Sequence, residues 1–187
     1  MADERISDAH ILRDDAPVPG ARRPGARFLL RHPAHWFALG FGSGLAPWAP
    51  GTVGTLWAWV SFLVFDPWLG AAGWGLVIAA SLALGVWACA RTAEHLALVD
   101  PGVIVWDEVV AFWIVLWLVT PAGWLAQALA FALFRFFDVV KPGPVRWVDR
   151  RFKTAHGLWQ GVGILADDLA AALGTLLVIA LWRFAFP

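Results

Sequence analysis

An all-α, membrane-embedded bundle, mixing full spans with partial or re-entrant apolar helices, is the fold class this sequence predicts. Three observations carry it. The 187-residue chain is 60% hydrophobic and only 15% charged, well under the quarter or so of charged residues typical of a soluble domain. Its apolar runs are continuous, with no alternation of the kind that marks half-buried strands. Fourteen tryptophans and no tyrosine supply the third: Trp48, Trp68, Trp106 and Trp124 stand near the ends of apolar runs, where an indole favours the headgroup layer.

Residues 1–33 read as a flexible cytoplasmic tail and 34–187 as one membrane-embedded domain. The opening stretch holds charges, prolines and glycines and lacks the apolar core of a signal peptide. Arg22, Arg23, Arg27 and Arg31 lie just before the first apolar residues and suit an anionic cytoplasmic leaflet. Next comes FGSGLAPWAPGTVGTLWA, residues 41–58. It is an uncharged, irregular loop with four glycines, two prolines and the hydroxyls of Ser43, Thr52 and Thr55. The apolar run 56–65 stops at Asp66-Pro67, and 68–90 is long enough to span, since a bilayer core needs roughly 20 residues. Runs 109–119 and 124–134 are half-length pieces around TPAG (120–123). They are expected to be re-entrant or packed in protein, or else to form one kinked span over 109–134. Residues 169–186 close the chain as a span. Cys89, the only cysteine, sits inside an apolar run and reads as a small packing group.

Charge is as uneven as hydropathy. Between residues 41 and 90 only Asp66 is charged, whereas 134–153 carries six cations against two anions, net +4. Such a segment prefers the cytoplasm. The whole chain is formally neutral, so no global field argues for a nucleic-acid partner.

Carboxylates gather at the edges of the apolar runs: Asp107-Glu108, Asp138 with Asp149 further on, and Asp167-Asp168. Ionisable groups against a membrane segment are expensive and usually pair or serve a site. Asp107-Glu108 and Asp167-Asp168 are each expected at the start of an apolar helix, where the dipole favours negative charge. Capping alone could explain either pair. Both pairs together, with Asp138 and a basic segment, point to a shared cation held by Asp107, Glu108, Asp138, Asp167 and Asp168. Hard oxygen donors suit Mg²⁺. Arg135, Asp138 and Lys141 recur at a spacing of three on one helical face, and Pro142 places Lys141 at the helix end. With the carboxylates on a metal, Arg135, Lys141 and Arg146 become available for phosphate oxygens. The glycine-rich loop then acquires a purpose. Its backbone N–H groups, with Ser43, Thr52 and Thr55, can turn toward an anion. Glu94, His95 and Asp100 offer a satellite of the site as one reading, and ordinary surface polar residues as the preferred one.

The pieces GSGLAPWAPGTVGTL (42–56), VIVWDE (103–108), FRFFDVVKPGPVRWVD (134–149) and GVGILADD (161–168) together resemble the phosphatidylglycerophosphatase A family of bacterial membrane phosphatases. Two departures from that pattern stand out: Gln160 and Ala171 occupy positions where the family tends to glycine. The resemblance implies Mg²⁺-dependent removal of the terminal phosphate of phosphatidylglycerophosphate, giving phosphatidylglycerol. The resulting expectation is a multi-pass protein of the bacterial inner membrane, with its active site facing the cytoplasm. Attack is expected from a metal-activated water. Asp107, Glu108, Asp167 and Asp168 are the leading ligands, Asp138 a ligand or neighbour, and Asp138 or Asp149 a general base. Lys141, Arg135 and Arg146 would neutralise the phosphoryl group.

Two alternatives stay open at this stage. A small ion-binding transporter would also carry intramembrane carboxylates, but near the midplane. A CDP-alcohol phosphatidyltransferase would need aspartates spaced along one helix, which this chain lacks. Covalent phosphoenzyme routes lack their signatures, since no Asp-x-Asp pair is present.

Overall fold

A computed structural model describes residues 24–152 and 155–186. Among these residues there are helices and no strands. The expected tail lies outside the described residues as far as position 23. Its last part is helical: α1 (Ala26–Leu29) buries Leu29, and α2 follows at Pro33–Ala38. A 3-10 segment (Gly40–Leu45) leads to α3 (Pro50–Leu96), then α4 (Trp106–Val119), α5 (Trp124–Val140), the short α6 (Pro144–Phe152) and α7 (Leu158–Ala185).

α3 is two arms rather than one rod. The helix runs through Pro67 and breaks at Gly70, whose φ of 57° and ψ of −178° lie where a side chain is disfavoured. Residues 50–69 and 71–96 fold back on one another there. Phe62 stacks on Trp74 with ring centroids 4.4 Å apart, and Trp74 Nε1 donates to Asp66 Oδ1 at 3.0 Å. Twelve residues of straight helix would separate those rings by about 18 Å. The short run ending at Asp66-Pro67 is therefore the C-terminal part of a full arm.

The same test settles the middle pair. Phe112 meets Phe131 and Phe134 at 5.6 and 5.5 Å, whereas nineteen residues along one rod would put the first two about 28 Å apart. α4 and α5 are thus a hairpin closed at 120–123, not a single kinked span. α4 occupies the middle of the bundle. Val109, Val110, Ala111, Phe112, Val115 and Leu116 are wholly buried, as expected of a helix apolar all round.

Outside, the pattern inverts. Val60, Leu63, Val64, Leu129 and Leu177 are all more than half exposed. Exposed apolar surface on that scale marks contact with something other than water, and α3 and α7 are long and apolar enough to cross a membrane. Trp48, Trp68 and Trp124 are 85, 84 and 77% exposed, at the ends of helical arms. Trp106 is different: it is buried and donates from Nε1 to Ser81 O at 3.0 Å. It packs in the core and faces no surface. Trp113 likewise spends its N–H on Ala58 O and Ser61 Oγ, at 3.0 and 3.1 Å. An indole donor buried in an apolar bundle needs such an acceptor. Cys89 is buried, as a packing group should be.

The arms sort the chain into two ends. Gly51, at the start of α3, lies against Glu108 at the start of α4 and Arg135 near the end of α5. At the opposite end Arg183 Nη2 donates to Val119 O at 3.1 Å, joining the tail of α7 to the end of α4.

A candidate carboxylate site at one end of the bundle

The first turn of α4 carries Asp107 and Glu108, where the unpaired N–H groups of a helix start favour anions. That expectation holds for this pair only. α7 begins at Leu158, so Asp167 and Asp168 stand in its third turn, away from any N-terminus. The dipole does not account for them. They are held where they are by the packing of α7 against α3 and α4. Gly161 lets α7 approach the Val86 carbonyl closely, and Gly85 admits Trp106 and Leu165 on the facing side.

Adjacent residues on a helix point about 100° apart, and Asp167 and Asp168 accordingly serve different partners. Asp168 turns inward and is 3% exposed. It meets Asp107 and Glu108, the three offering oxygens that all lie within 4.8 Å of one another. Asp138 of α5 is within hydrogen-bonding reach of Asp168. Asp167 instead pairs with Lys141 Nζ, which also reaches Asp149 Oδ1 at 2.7 Å. The expected five-carboxylate ligand set is thus divided in this structure: Asp107, Glu108 and Asp168 share one point with Asp138 beside them, while Asp167 faces the lysine.

Cations frame the cluster. Arg135 Nη1 lies 2.6 Å from Asp138 Oδ2 and 3.5 Å from Glu108 Oε1, and donates to Thr55 Oγ1 at 3.4 Å. Lys141 closes α5 in the left-handed region at φ 46°, the helix end that Pro142 dictates. Burial alone would lower its pKa. The Asp167 and Asp149 carboxylates outweigh that and hold the ammonium above the usual lysine range. Arg146, expected beside them, is exposed on α6, and no ion pair of its own joins it to the site.

The part of the expected loop that reaches this centre is not irregular: from Pro50 onward it is the first turn of α3. A Cβ on Gly51 would collide with Glu108 Oε1 and come within 3.2 Å of Arg135 Nη1, so only glycine lets the first turn of α3 lie here. Thr55 is wholly buried, donates to Gly51 O at 2.8 Å and accepts from Arg135. Thr52 is half-buried one residue after Gly51. Ser43 donates to Gly40 O at 2.8 Å, which makes its hydroxyl a brace for the 3-10 turn.

Buried oxygens without partners test whether a cation fits. Asp107 Oδ1, Glu108 Oε2 and Asp168 Oδ2 are each buried with no hydrogen-bond partner. A buried, unpaired carboxylate oxygen is costly, and three converging from two helices are unsatisfied without a positive centre. Among the described residues, four carboxylates gather beside the guanidinium of Arg135, while Lys141 is already matched by two of its own. An oxygen-only donor set of this charge fits a hard divalent ion such as Mg²⁺.

Two contributors are not evident from sequence. Asp100, on the connection before α4, is within electrostatic reach of Asp107, Glu108 and Asp167. Its one signal is an acidic residue on a short loop seven positions ahead of Asp107. Gln160 uses its amide to bridge Leu98 O and Val99 O, at 3.0 and 2.8 Å, tying the start of α7 to that loop.

A helical membrane bundle with converging buried carboxylates, three of whose oxygens lack partners, beside an arginine has the build of a membrane enzyme acting on a charged group. Comparison with known proteins gives the particular lineage. The family model for phosphatidylglycerophosphatase A matches residues 36–183. The phosphatidylglycerophosphatase A of Escherichia coli is 39% identical over 151 residues, covering 79% of this chain and 82% of the relative. That of Haemophilus influenzae is 37% identical over 156 residues, covering 83 and 92%. A Bacteroides thetaiotaomicron relative, 40% identical over 157 residues and covering 78 and 90%, bears a provisional phosphatidylinositol-3-phosphatase name. No solved structure matches. The chain belongs to the phosphatidylglycerophosphatase A family, and is a phosphatase by that membership.

Proposed function

We propose that this chain hydrolyses the terminal phosphomonoester of phosphatidylglycerophosphate to phosphatidylglycerol and phosphate. The reaction takes place at the cytoplasmic face of a bacterial inner membrane, with Mg²⁺ as cofactor and water as the attacking group. The lipid is the one for which the E. coli and H. influenzae relatives are named. The observation that carries the chemistry is the meeting of Asp107, Glu108 and Asp168 within 4.8 Å, each with a buried oxygen that has no hydrogen-bond partner.

These three residues would hold the ion, which supplies charge neutralisation to the phosphoryl oxygens and acidity to a water. Everything else is done by the chain. Arg135, relieved of part of its duty to Glu108 and Asp138 once those are otherwise satisfied, turns its guanidinium edge to a phosphate oxygen. The first turn of α3, brought to the cluster by Gly51, offers backbone N–H groups and the Thr52 hydroxyl to the same anion. Asp138 stands at the cluster's edge, accepts the proton of the attacking water and returns it to the glycerol oxygen as its bond to phosphorus breaks. Lys141 keeps Asp167 and Asp149 in place and, as an ammonium at neutral pH, adds its charge to the phosphate side of the site. The apolar flanks keep the diacyl tail in hydrocarbon while the headgroup enters from the loop end.

Transport as an alternative expects its carboxylates at the bilayer midplane. Here they collect where α3 and α4 begin, which favours chemistry on a headgroup. The test is inorganic phosphate release by the purified protein from phosphatidylglycerophosphate in mixed micelles. Release with Mg²⁺ that stops on EDTA and returns on re-addition is expected. Undiminished release in EDTA would remove the metal, and no release in either condition would remove the reaction. A parallel assay with phosphatidylinositol 3-phosphate decides between the two lipids carried by the relatives' names.

A further inference from the structure

On the same loop-bearing end, a second cluster of side chains is left over from the phosphatase reading: His32, His35 and His95. We propose that these three histidines form a binding site for a borderline divalent transition ion of the Zn²⁺ class, separate from the carboxylate centre, clipping α2 to the end of α3. The proposal goes beyond the phosphatase reading and stands independently of it.

Geometry carries the case. One ring nitrogen from each residue lies within 4.8 Å of the others. The ring centroids form a near-equilateral triangle with sides of 5.1, 5.3 and 5.6 Å. Zn–N bonds of about 2.0–2.1 Å at tetrahedral angles put imidazole centroids about 5.2 Å apart. The rings also present edges, not faces: His95 stands at 90° to His35 and 82° to His32. A packed aromatic trio has no need of converging nitrogens.

Proton positions follow from the partners. His35 is 2% exposed, and its Nδ1 lies 2.7 Å from Phe28 O. A carbonyl only accepts, so Nδ1 carries the hydrogen and Nε2 presents a lone pair. A backbone carbonyl on the far nitrogen is how metal-binding histidines are commonly oriented. That lone pair faces His95 Nδ1 at 2.9 Å, which therefore donates to it in the ion-free chain. His95 is exposed, so its proton leaves to solvent and the ring changes tautomer when an ion takes the place between them. His32 now caps α2, accepting from Ala34 N at 3.1 Å through Nδ1, and joins by exchanging that cap for the ion. Three imidazoles leave a fourth position open. Arg31, within electrostatic reach of His35, makes an anion or hydroxide the suitable occupant. Imidazole nitrogen selects Zn²⁺, Co²⁺ or Ni²⁺ over Mg²⁺, which keeps to oxygen. The two centres thus discriminate by donor type.

The test uses the full chain in detergent, purified without a histidine tag and held in excess Mg²⁺ so that the carboxylate centre is occupied. Co²⁺ is the probe. The expected result is one equivalent bound with the intense visible absorption of four-coordinate, nitrogen-ligated cobalt, displaced by Zn²⁺. Because His95 is exposed, His95→Ala should fold. It is expected to lose the absorption and to weaken Co²⁺ binding about tenfold or more, as even outer-sphere changes cost 10–100-fold. His32→Ala should act in the same direction, while His156→Ala should leave binding unchanged. Absence of the intense band, or its persistence at full strength in both His95→Ala and His32→Ala, would overturn the proposal.

Discussion

Asp167 and Asp168 show how one residue step changes a role. Both are acidic, both lie in an apolar helix, and the sequence offers no reason to separate them. The helical rotation does: Asp168 enters the partnerless cluster and Asp167 closes an ion pair. Asp168→Asn is expected to cut phosphate release at least about 100-fold, beyond the roughly 10–100-fold lost when outer-sphere partners of a metal are removed. In EDTA the same substitution should raise thermal stability, because it deletes a buried charge that repels three others. Relief of about 1 kcal/mol corresponds to a Tm gain of roughly 2–4 °C at this chain length. A lower Tm in EDTA would mean that the carboxylate is satisfied in some other way. Lys141→Ala should act through stability as well as activity, since it leaves Asp167 and Asp149 facing each other. Denaturation should show a loss of about 2–3 kcal/mol, below the ~3–5 of a wholly buried pair because the lysine is a quarter exposed. Lys141→Met combined with Asp167→Asn should recover part of it. Arg151→Ala, on the exposed face of α6, should alter neither measurement appreciably.

At the scale of elements, the first turn of α3 meets the site through Gly51 and Thr55. Gly51→Ala puts a methyl group where Glu108 Oε1 lies. Glu108 and Arg135 must move, and activity should fall about tenfold or more, as a 1 Å misplacement near reacting groups readily costs. Gly102→Ala, with nothing within 4 Å of its Cβ position, is the matched control and should be near neutral. Equal effects in the two variants would detach the loop from the chemistry. This element was partly legible. Glycine, threonine and proline before an apolar run announced a close backbone approach, and the carboxylates announced what it would approach. The membrane-embedded helical class followed from composition, and Cys89 from its apolar surroundings. What stayed hidden has a common physical cause. Periodicity reports burial along one helix but says nothing of where a helix folds back, so the Gly70 reversal was invisible, and TPAG marked the break between α4 and α5 without deciding between a hairpin and a kink. Trp106 looked interfacial for the same reason: position in a run does not reveal a neighbouring arm with a free carbonyl. The distinction between Asp167 and Asp168 likewise depends on which helices lie on either side of α7.

For the whole molecule, the reversals determine which connections share a side. Arms 50–69 and 71–96, α4, α5 and α7 alternate in direction, five in all if each crosses. The connection at 97–105 then lies with the carboxylate centre and the cationic α6, whereas 120–123 lies at the other end with the tail of α7. In the orientation proposed above, the side carrying the cationic excess of α6 is the cytoplasmic one. Gly102 and Gly123 are exposed reporters for the two sides, neither having an atom within 4 Å of its Cβ position. Cys89 is buried, so the parent chain gives a silent background for thiol labelling. In spheroplasts exposed to a membrane-impermeant maleimide, Gly123→Cys should label at once and Gly102→Cys only after the membrane is opened. The reversed pattern would turn the protein over and place its site outside the cytoplasm. Labelling of both from one side would mean that α4 and α5 dip in and return without crossing. In that case the hairpin would be re-entrant, and the headgroup would meet a bundle anchored by three spans.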